Sequence, residues 1–222
     1  MESALPPPSA AVVAWSVVIP VKVLAEAKSR LAALTVTYRA QLALAMAADT
    51  VAAAGAAAPV AGVIVVTDDA LVGAELSGLG AVIIADEPAA GLNAALAFGA
   101  AYCARRWPDR GVAGMAGDLP ALRPAELALV LGAAAAAGEA FVPDAAGTGT
   151  SLYAAGPGTA FAPAFGPGSR DRHRAAGAKE LDWPVLRGIR QDVDTPDDLR
   201  VASELGVGPR TAAALAAGPP LR

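Results

Sequence analysis

Apolar, β-branched runs alternate along the chain with longer Ala- and Leu-rich segments, and the rhythm predicts strands at Ser16–Pro20, Val63–Thr67, Ala81–Ala85, Val112–Ala116, Glu139–Val142, Ser151–Ala155 and Ile189–Val193. Short runs of this kind, bounded by turn residues, suit strands covered on both faces, so the pattern points to an α/β fold with a mostly parallel sheet flanked by crossover helices. The helices predicted between them are Thr37–Ala54, with Thr37 as N-cap and Gly55 as the stop, then Asp69–Leu76, Leu92–Arg106, Pro124–Ala137 and Pro196–Leu205. Two of these carry Pro in the first turn, where its missing N–H costs nothing. The stretch Gly156–Ala178 is rich in Gly, Pro and Arg and breaks the rhythm, which makes it the expected place for substrate contacts.

A chain of 222 residues is long enough for one domain with a substantial core and too short for two ordinary ones. Residues 1–13, Pro- and Ala-rich and without pattern, read as a lead; residues 14–208 read as the domain and 209–222 as a tail or short helix. A net charge of -4 supplies no field for nucleic acid or an anionic membrane, so neither is an expected partner and any bound anion must be held by local geometry. Charge-free stretches at Leu5–Val21 and Thr50–Thr67 are broken by Pro and Gly, which argues against a membrane span, and no basic region precedes the first to make a signal peptide. The single cysteine, Cys103, excludes an internal disulfide and reads as buried filler, so a reducing setting, the cytoplasm, is the simplest expectation.

In an open parallel sheet, ligands bind at the carboxyl ends of the strands where strand order reverses. Lys22, Lys28 and Arg30 follow the first predicted strand, Asp118 follows the one at Val112–Ala116, and Asp192 and Asp194 stand at the end of the last. Carboxylates without a His or Cys cluster suit a hard cation, Mg²⁺ before Zn²⁺. The i, i+2 spacing of Asp192 and Asp194 puts both on one face if the strand continues through them. Each has an ordinary alternative: a strand-end turn for Asp118, an N-cap before Pro196 for Asp194, a solvated turn for the cations. Their predicted convergence weighs against these, because Mg²⁺ with clustered Lys and Arg is what a nucleoside triphosphate requires. Neither G-x-x-x-x-G-K-[ST] nor G-x-G-x-x-G occurs, so the cation-bearing segment must hold the phosphates.

The blocks "IPVKVLAEAKSRLA", "AGDLPAL", "GTGTSL", "FGPGSRDRH" and "DVDTPDDL", in this order across residues 16–208, resemble the 2-phospho-L-lactate/phosphoenolpyruvate guanylyltransferase family of coenzyme F-420 biosynthesis. The resemblance implies a single Rossmann-like nucleotidyltransferase domain of GT-A-like type, a GTP donor and Mg²⁺. It implies that Lys22, Lys28 and Arg30 contact the GTP phosphates, that Asp118 with Asp192 or Asp194 holds the metal, and that Asn93 of "GLN" recognises base or ribose. Thr150, Gly166 and Ser169 would bind a small phosphorylated acid, with Arg170, Arg172 and Arg174 nearby as further donors for its two anionic groups. His173, the only histidine, reads as structural or phosphate-bonding, because an acceptor phosphate has no proton to lose at pH 7. The expected chemistry is attack of the acceptor phosphate on the α-phosphorus of GTP with loss of pyrophosphate. By analogy alone, phosphoenolpyruvate stands before 2-phospho-L-lactate or 3-phospho-D-glycerate: the Ala-rich composition resembles that of high-GC actinobacterial chains, whose family members resemble the phosphoenolpyruvate users. A homodimer and a hand-off of the product to the next enzyme of the pathway are expectations of the same kind. The readings that compete are a cytidylyltransferase of the molybdopterin type and a non-catalytic nucleotide-binding module.

Overall fold

The computed structural model describes residues 13–22, 35–87 and 89–218. Its first strand, β1 (Trp15–Pro20), buries Val17, Val18 and Ile19 completely, as a strand covered on both faces must. Val17 and Ile19 pack on one side and Val18 on the other, the two-residue alternation of an extended chain. Then follow α1 (Val36–Gly55), β2 (Val60–Val66), α2 (Ala70–Ser77), β3 (Val82–Ile84), α3 (Leu92–Arg106), β4 (Gly111–Met115) and α4 (Pro124–Ala137). The chain continues through β5 (Glu139–Pro143), β6 (Thr150–Ala155), α5 (Ser169–Ala175), β7 (Lys179–Glu180), α6 (Pro196–Leu205) and α7 (Pro209–Ala217).

The described strands form one seven-stranded sheet in the order β3-β2-β1-β4-β6-β5-β7. All pairings are parallel except those of β6, which runs against both β4 and β5. Apolar residues of α1, α2 and α4 cover one face, and α3 with Phe165 and Ala178 covers the other. The chain moves outward from β1 to β2 and β3, then crosses back through α3 to β4. Strand order therefore reverses between β1 and β4, and the crevice at their carboxyl ends is the natural ligand position in such a sheet.

Helices α3, α4 and α6 have the predicted bounds. Helix α1 starts earlier than expected, because the cap is Thr35, whose Oγ1 accepts from the Tyr38 N–H, while Thr37 lies inside the first turn and Gly55 is the last helical residue. The predicted strand Ile189–Val193 does not form. Its N–H groups find other partners: Ile189 donates to the buried Glu126 carboxylate at 2.8 Å, and Val193 to the Asp118 carbonyl at 3.2 Å. The sheet edge beside β5 is taken by β7 instead, and the irregular stretch before it contains the short helix α5.

The last helix docks on the first. Asp49 of α1, almost fully buried, accepts from the Arg210 and Thr211 N–H groups at the start of α7, and the Tyr38 hydroxyl donates to the Ala214 carbonyl. Leu42 and Met46 of α1 bury against Leu199 and Ala202 of α6. Each such apolar side chain contributes about 1.5–3 kcal/mol on burial, so α6 and the turn that precedes it are anchored to the main body.

Candidate active site

Lys22 follows β1, Asp118 follows β4 and Asp144 follows β5, so all three reach one edge of the sheet. Because β6 is reversed, its first residue, Thr150, stands at that same edge. Asp192 and Asp194 arrive in the turn before α6, and Gly166 in the loop before α5. These residues line one cavity of about 800 Å³, which also takes in Leu92, Phe165 and Gln191.

Backbone and carboxylate bonds fix the acidic segments against one another. The Val193 N–H donates to the Asp118 carbonyl, tying the turn after β7 to the end of β4. Upstream, Glu126 of α4 accepts from the N–H groups of Gly188 and Ile189 at 3.1 and 2.8 Å. A Cβ on Gly188 would overlap the Ala121 carbonyl oxygen, so only glycine permits this approach. Downstream, Asp198 closes a capping box with Thr195 and also accepts from the Asp194 N–H at 3.1 Å. Asp144 accepts from the Thr148 and Gly149 N–H groups at 3.0 and 2.9 Å, which folds the loop that leads to Thr150.

The electrostatics show what this arrangement demands. The Asp192 carboxyl is pushed up to about 7, first by burial and then by the charges of Asp118, Asp144 and Asp194. Like charges gathered in a partly buried crevice favour a cation among them. Among the described residues no three His, Cys, Asp or Glu side chains form a metal-holding group on their own. The oxygen-only donor set nevertheless fits a hard divalent ion, which is ordinarily held by one or two carboxylates with the rest of its shell from substrate phosphates and water. Asp118, Asp192 and Asp194 are the residues that could hold it, with Asp144 beside them.

Behind Thr150 stands His173, fully enclosed between Tyr153, stacked at 4.8 Å, Phe141 and Phe165. Burial foremost, and the adjacent Arg172 charge, pull its pKa down to about 4, so the ring is neutral at pH 7. Its Nδ1 lies 3.0 Å from the Thr150 Oγ1, and its Nε2 accepts from the Ala164 N–H at 3.0 Å. Cys103 is buried in α3 and its thiol is pushed up to about 11 by burial, as filler.

Of the residues singled out in the sequence, Lys22, Asp118, Thr150, Gly166, Asp192 and Asp194 line the cavity. Lys28 and Arg30 lie outside the described residues. Asn93, Ser169, Arg170 and Arg172 are not on the cavity wall. Asn93, expected at base or ribose, commits its amide to Phe165, accepting from its N–H at 2.8 Å and donating to its carbonyl at 3.0 Å. Arg170, expected on the acceptor, bonds Glu180, Asp182 and the Gly147 carbonyl instead. Arg172 bonds the carbonyls of Ala164, Phe165 and Pro167. Both guanidiniums thus shape the walls on either side of Thr150 without facing the cavity. Arg174 pairs with Asp171 and Glu180. Ser169 is fully buried, its N–H donating to Gly166. Asp144 was missed, although "VPDAAGTG" marks it: an acid directly after a strand is the signal that pointed to Asp118.

Comparison with known proteins gives the family. Residues 15–201 match the model described as "Guanylyl transferase CofC like". The phosphoenolpyruvate guanylyltransferase of Thermomonospora curvata is 60% identical over 205 residues, covering 92% of this chain and 90% of its own. That of Streptomyces avermitilis is 60% identical over 203 residues, covering 91% and 94%. Among solved structures, a putative nucleotide-diphospho-sugar transferase from Desulfovibrio desulfuricans G20 superimposes with a TM-score of 0.66 at 18% identity, covering 91% of this chain and 94% of its own, a likeness of fold. With a mixed sheet reversed at β1/β4, acids at its strand ends, and a family match that runs from β1 into α6, the chain belongs to the CofC-like guanylyl transferases.

Proposed function

We propose that the protein transfers GMP from GTP to phosphoenolpyruvate, giving enolpyruvoyl-2-diphospho-5'-guanosine and pyrophosphate, as a step of coenzyme F-420 biosynthesis. The observation that carries this reading is the meeting of Lys22 with Asp118, Asp192 and Asp194 on one cavity at the strand reversal, in a chain whose relatives bear that activity in their names. A phosphate oxygen of the acceptor attacks the α-phosphorus, the bond to the bridging oxygen of the β-phosphate breaks, and pyrophosphate departs with the electron pair. No proton needs to be removed, which accords with a wall that lacks a free histidine base.

Each wall residue then has a task. Lys22 offsets charge on the triphosphate, and Asp118 with Asp192 and Asp194 would hold Mg²⁺. Bound there, the ion neutralises the phosphates and stabilises the charge that develops on transfer. Thr150 and the Gly166 backbone contact the acceptor, while Phe165 and Pro167 keep that wall dry. Catalysis is positioning and charge balance.

The test is pyrophosphate release with GTP and Mg²⁺, comparing phosphoenolpyruvate, 2-phospho-L-lactate and 3-phospho-D-glycerate, with CTP as the alternative donor. The expected result is release that depends on GTP and is fastest with phosphoenolpyruvate. Release only with CTP, or none with any acceptor, refutes the proposal.

A further inference from the structure

We propose that His173 is the positioning residue of the acceptor pocket, its ring nitrogen holding the Thr150 oxygen so that the Thr150 hydroxyl hydrogen is presented to the bound acid. The geometry fixes the roles of the two nitrogens. A backbone N–H can only donate, so His173 Nε2, which receives the Ala164 N–H at 3.0 Å, must be the bare nitrogen. In a neutral ring the other nitrogen then carries the hydrogen, and Nδ1–H is shared between Thr150 Oγ1 at 3.0 Å and the Ser169 backbone one helical turn back. A hydroxyl that accepts in this way keeps its own hydrogen for another partner. Thr150 lines the cavity, and the group placed there by the proposed reaction is an anionic acceptor oxygen.

The surroundings hold the ring in this state. Tyr153 stacks on it within 14° of parallel, and Phe141 and Phe165 close two further sides. The charged groups that face it are Arg172 on its own helix and Glu139, which receives the Tyr153 hydroxyl at 2.8 Å. Arg172 also fixes the Ala164 carbonyl, so the N–H that sets the ring's orientation belongs to a segment the same helix has pinned. The relay runs Ala164 N–H, His173, Thr150, acceptor. It makes His173 the means by which α5 acts on the substrate without touching it.

The inference rests on Thr150 contacting the acceptor, and the experiment separates the two. As the chain has one histidine, ¹⁵N labelling of the imidazole gives a single pair of ring signals. Nδ1 is expected to be the protonated nitrogen, and a proton on Nε2 overturns the relay. In kinetics, Thr150→Val should raise the acceptor KM by about tenfold with the GTP KM little changed, as for loss of one charge-assisted hydrogen bond. His173→Phe keeps the aromatic packing, removes both nitrogens and should raise the acceptor KM by roughly fivefold, while the double variant is no worse than Thr150→Val alone. His173→Asn places an amide nitrogen where Nδ1 stood and should recover part of the loss. An unchanged acceptor KM in Thr150→Val refutes the underlying contact. A normal value in His173→Phe beside an impaired Thr150→Val refutes the relay alone, as do equal rises in both substrates' KM. If His173→Phe does not fold, the labelled ring and His173→Asn decide the matter by the same criteria.

Discussion

Replacing Glu126 by Gln tests how the acidic turn is held. Glu126 is 5% exposed, and its carboxylate accepts from two buried N–H groups, Gly188 through Oε1 and Ile189 through Oε2. Gln has nearly the same shape but only one acceptor oxygen, so its NH₂ must face one of those donors. Hydrogen bonds to a charged group contribute about 1.5–3 kcal/mol, and an unsatisfied buried donor costs about 1–3 kcal/mol. Glu126 also sits in the first turn of α4, where a negative charge adds about 0.5 kcal/mol against the helix dipole. These overlap, and a net loss of about 2 kcal/mol is expected; at about 2–4 °C per kcal/mol for a chain of this size, the melting temperature falls by roughly 4–8 °C. Thermal and urea denaturation at pH 7 measure both. A melting temperature within about 1 °C of the parent would mean that the turn bearing Asp192 is held by something other than Glu126.

Three further outcomes follow from the same geometry. Asp118→Asn should lower turnover by at least about a hundredfold, and near-normal turnover with Mg²⁺ would contradict the metal assignment. Gly188→Ala should cost about 1–3 kcal/mol or more by forcing the turn off the Ala121 carbonyl, and a crystal structure with an unmoved backbone would contradict the clash. Acid should weaken the fold through His173: its pKa is about 4 folded against 6.5 as the ordinary value, so the unfolded chain takes up the proton first. The stability is fully present above pH 6.5 and falls as the pH drops towards 4, by about 1.4 kcal/mol per unit. Urea midpoints should therefore show the parent losing about 2 kcal/mol relative to His173→Phe between pH 7 and 5, and a constant gap between them would refute the buried neutral ring.

The fold was legible where local chemistry settles it. Pro124 and Pro196 open α4 and α6, and the β-branched runs mark β1 and β2 because both faces of those strands are covered. What failed was decided at long range. The run Ile189–Val193 has a strand's pattern, but its donors are claimed by Glu126, sixty-odd residues away, and by Asp118. Asp192 and Asp194 nevertheless reach the predicted cavity, by a turn and not by the pleat of a strand. Asn93, Arg170 and Arg172 looked like ligand-binding groups because amides and guanidiniums bind ligands and backbones with the same donors. Their neighbours in space show them bonded to protein groups, Asn93 and Arg172 to backbone and Arg170 chiefly to the Glu180 and Asp182 carboxylates.

The reversal of β6 divides the crevice between two wings of the sheet. On one, β1 and β4 bring Lys22 and Asp118 from adjoining parallel strands; on the other, Asp144, Thr150 and the loop before α5 come from a region with its own internal bonding. The second wing is tied to the first through the paired Asn93–Phe165 hydrogen bonds, so a change there reshapes one wall freely only where that link is kept. On the proposed reading, transplanting the stretch from Asp144 to Arg174 between relatives, with the residue that meets Phe165 kept as Asn93, should change the choice of acid and leave the GTP requirement as it is.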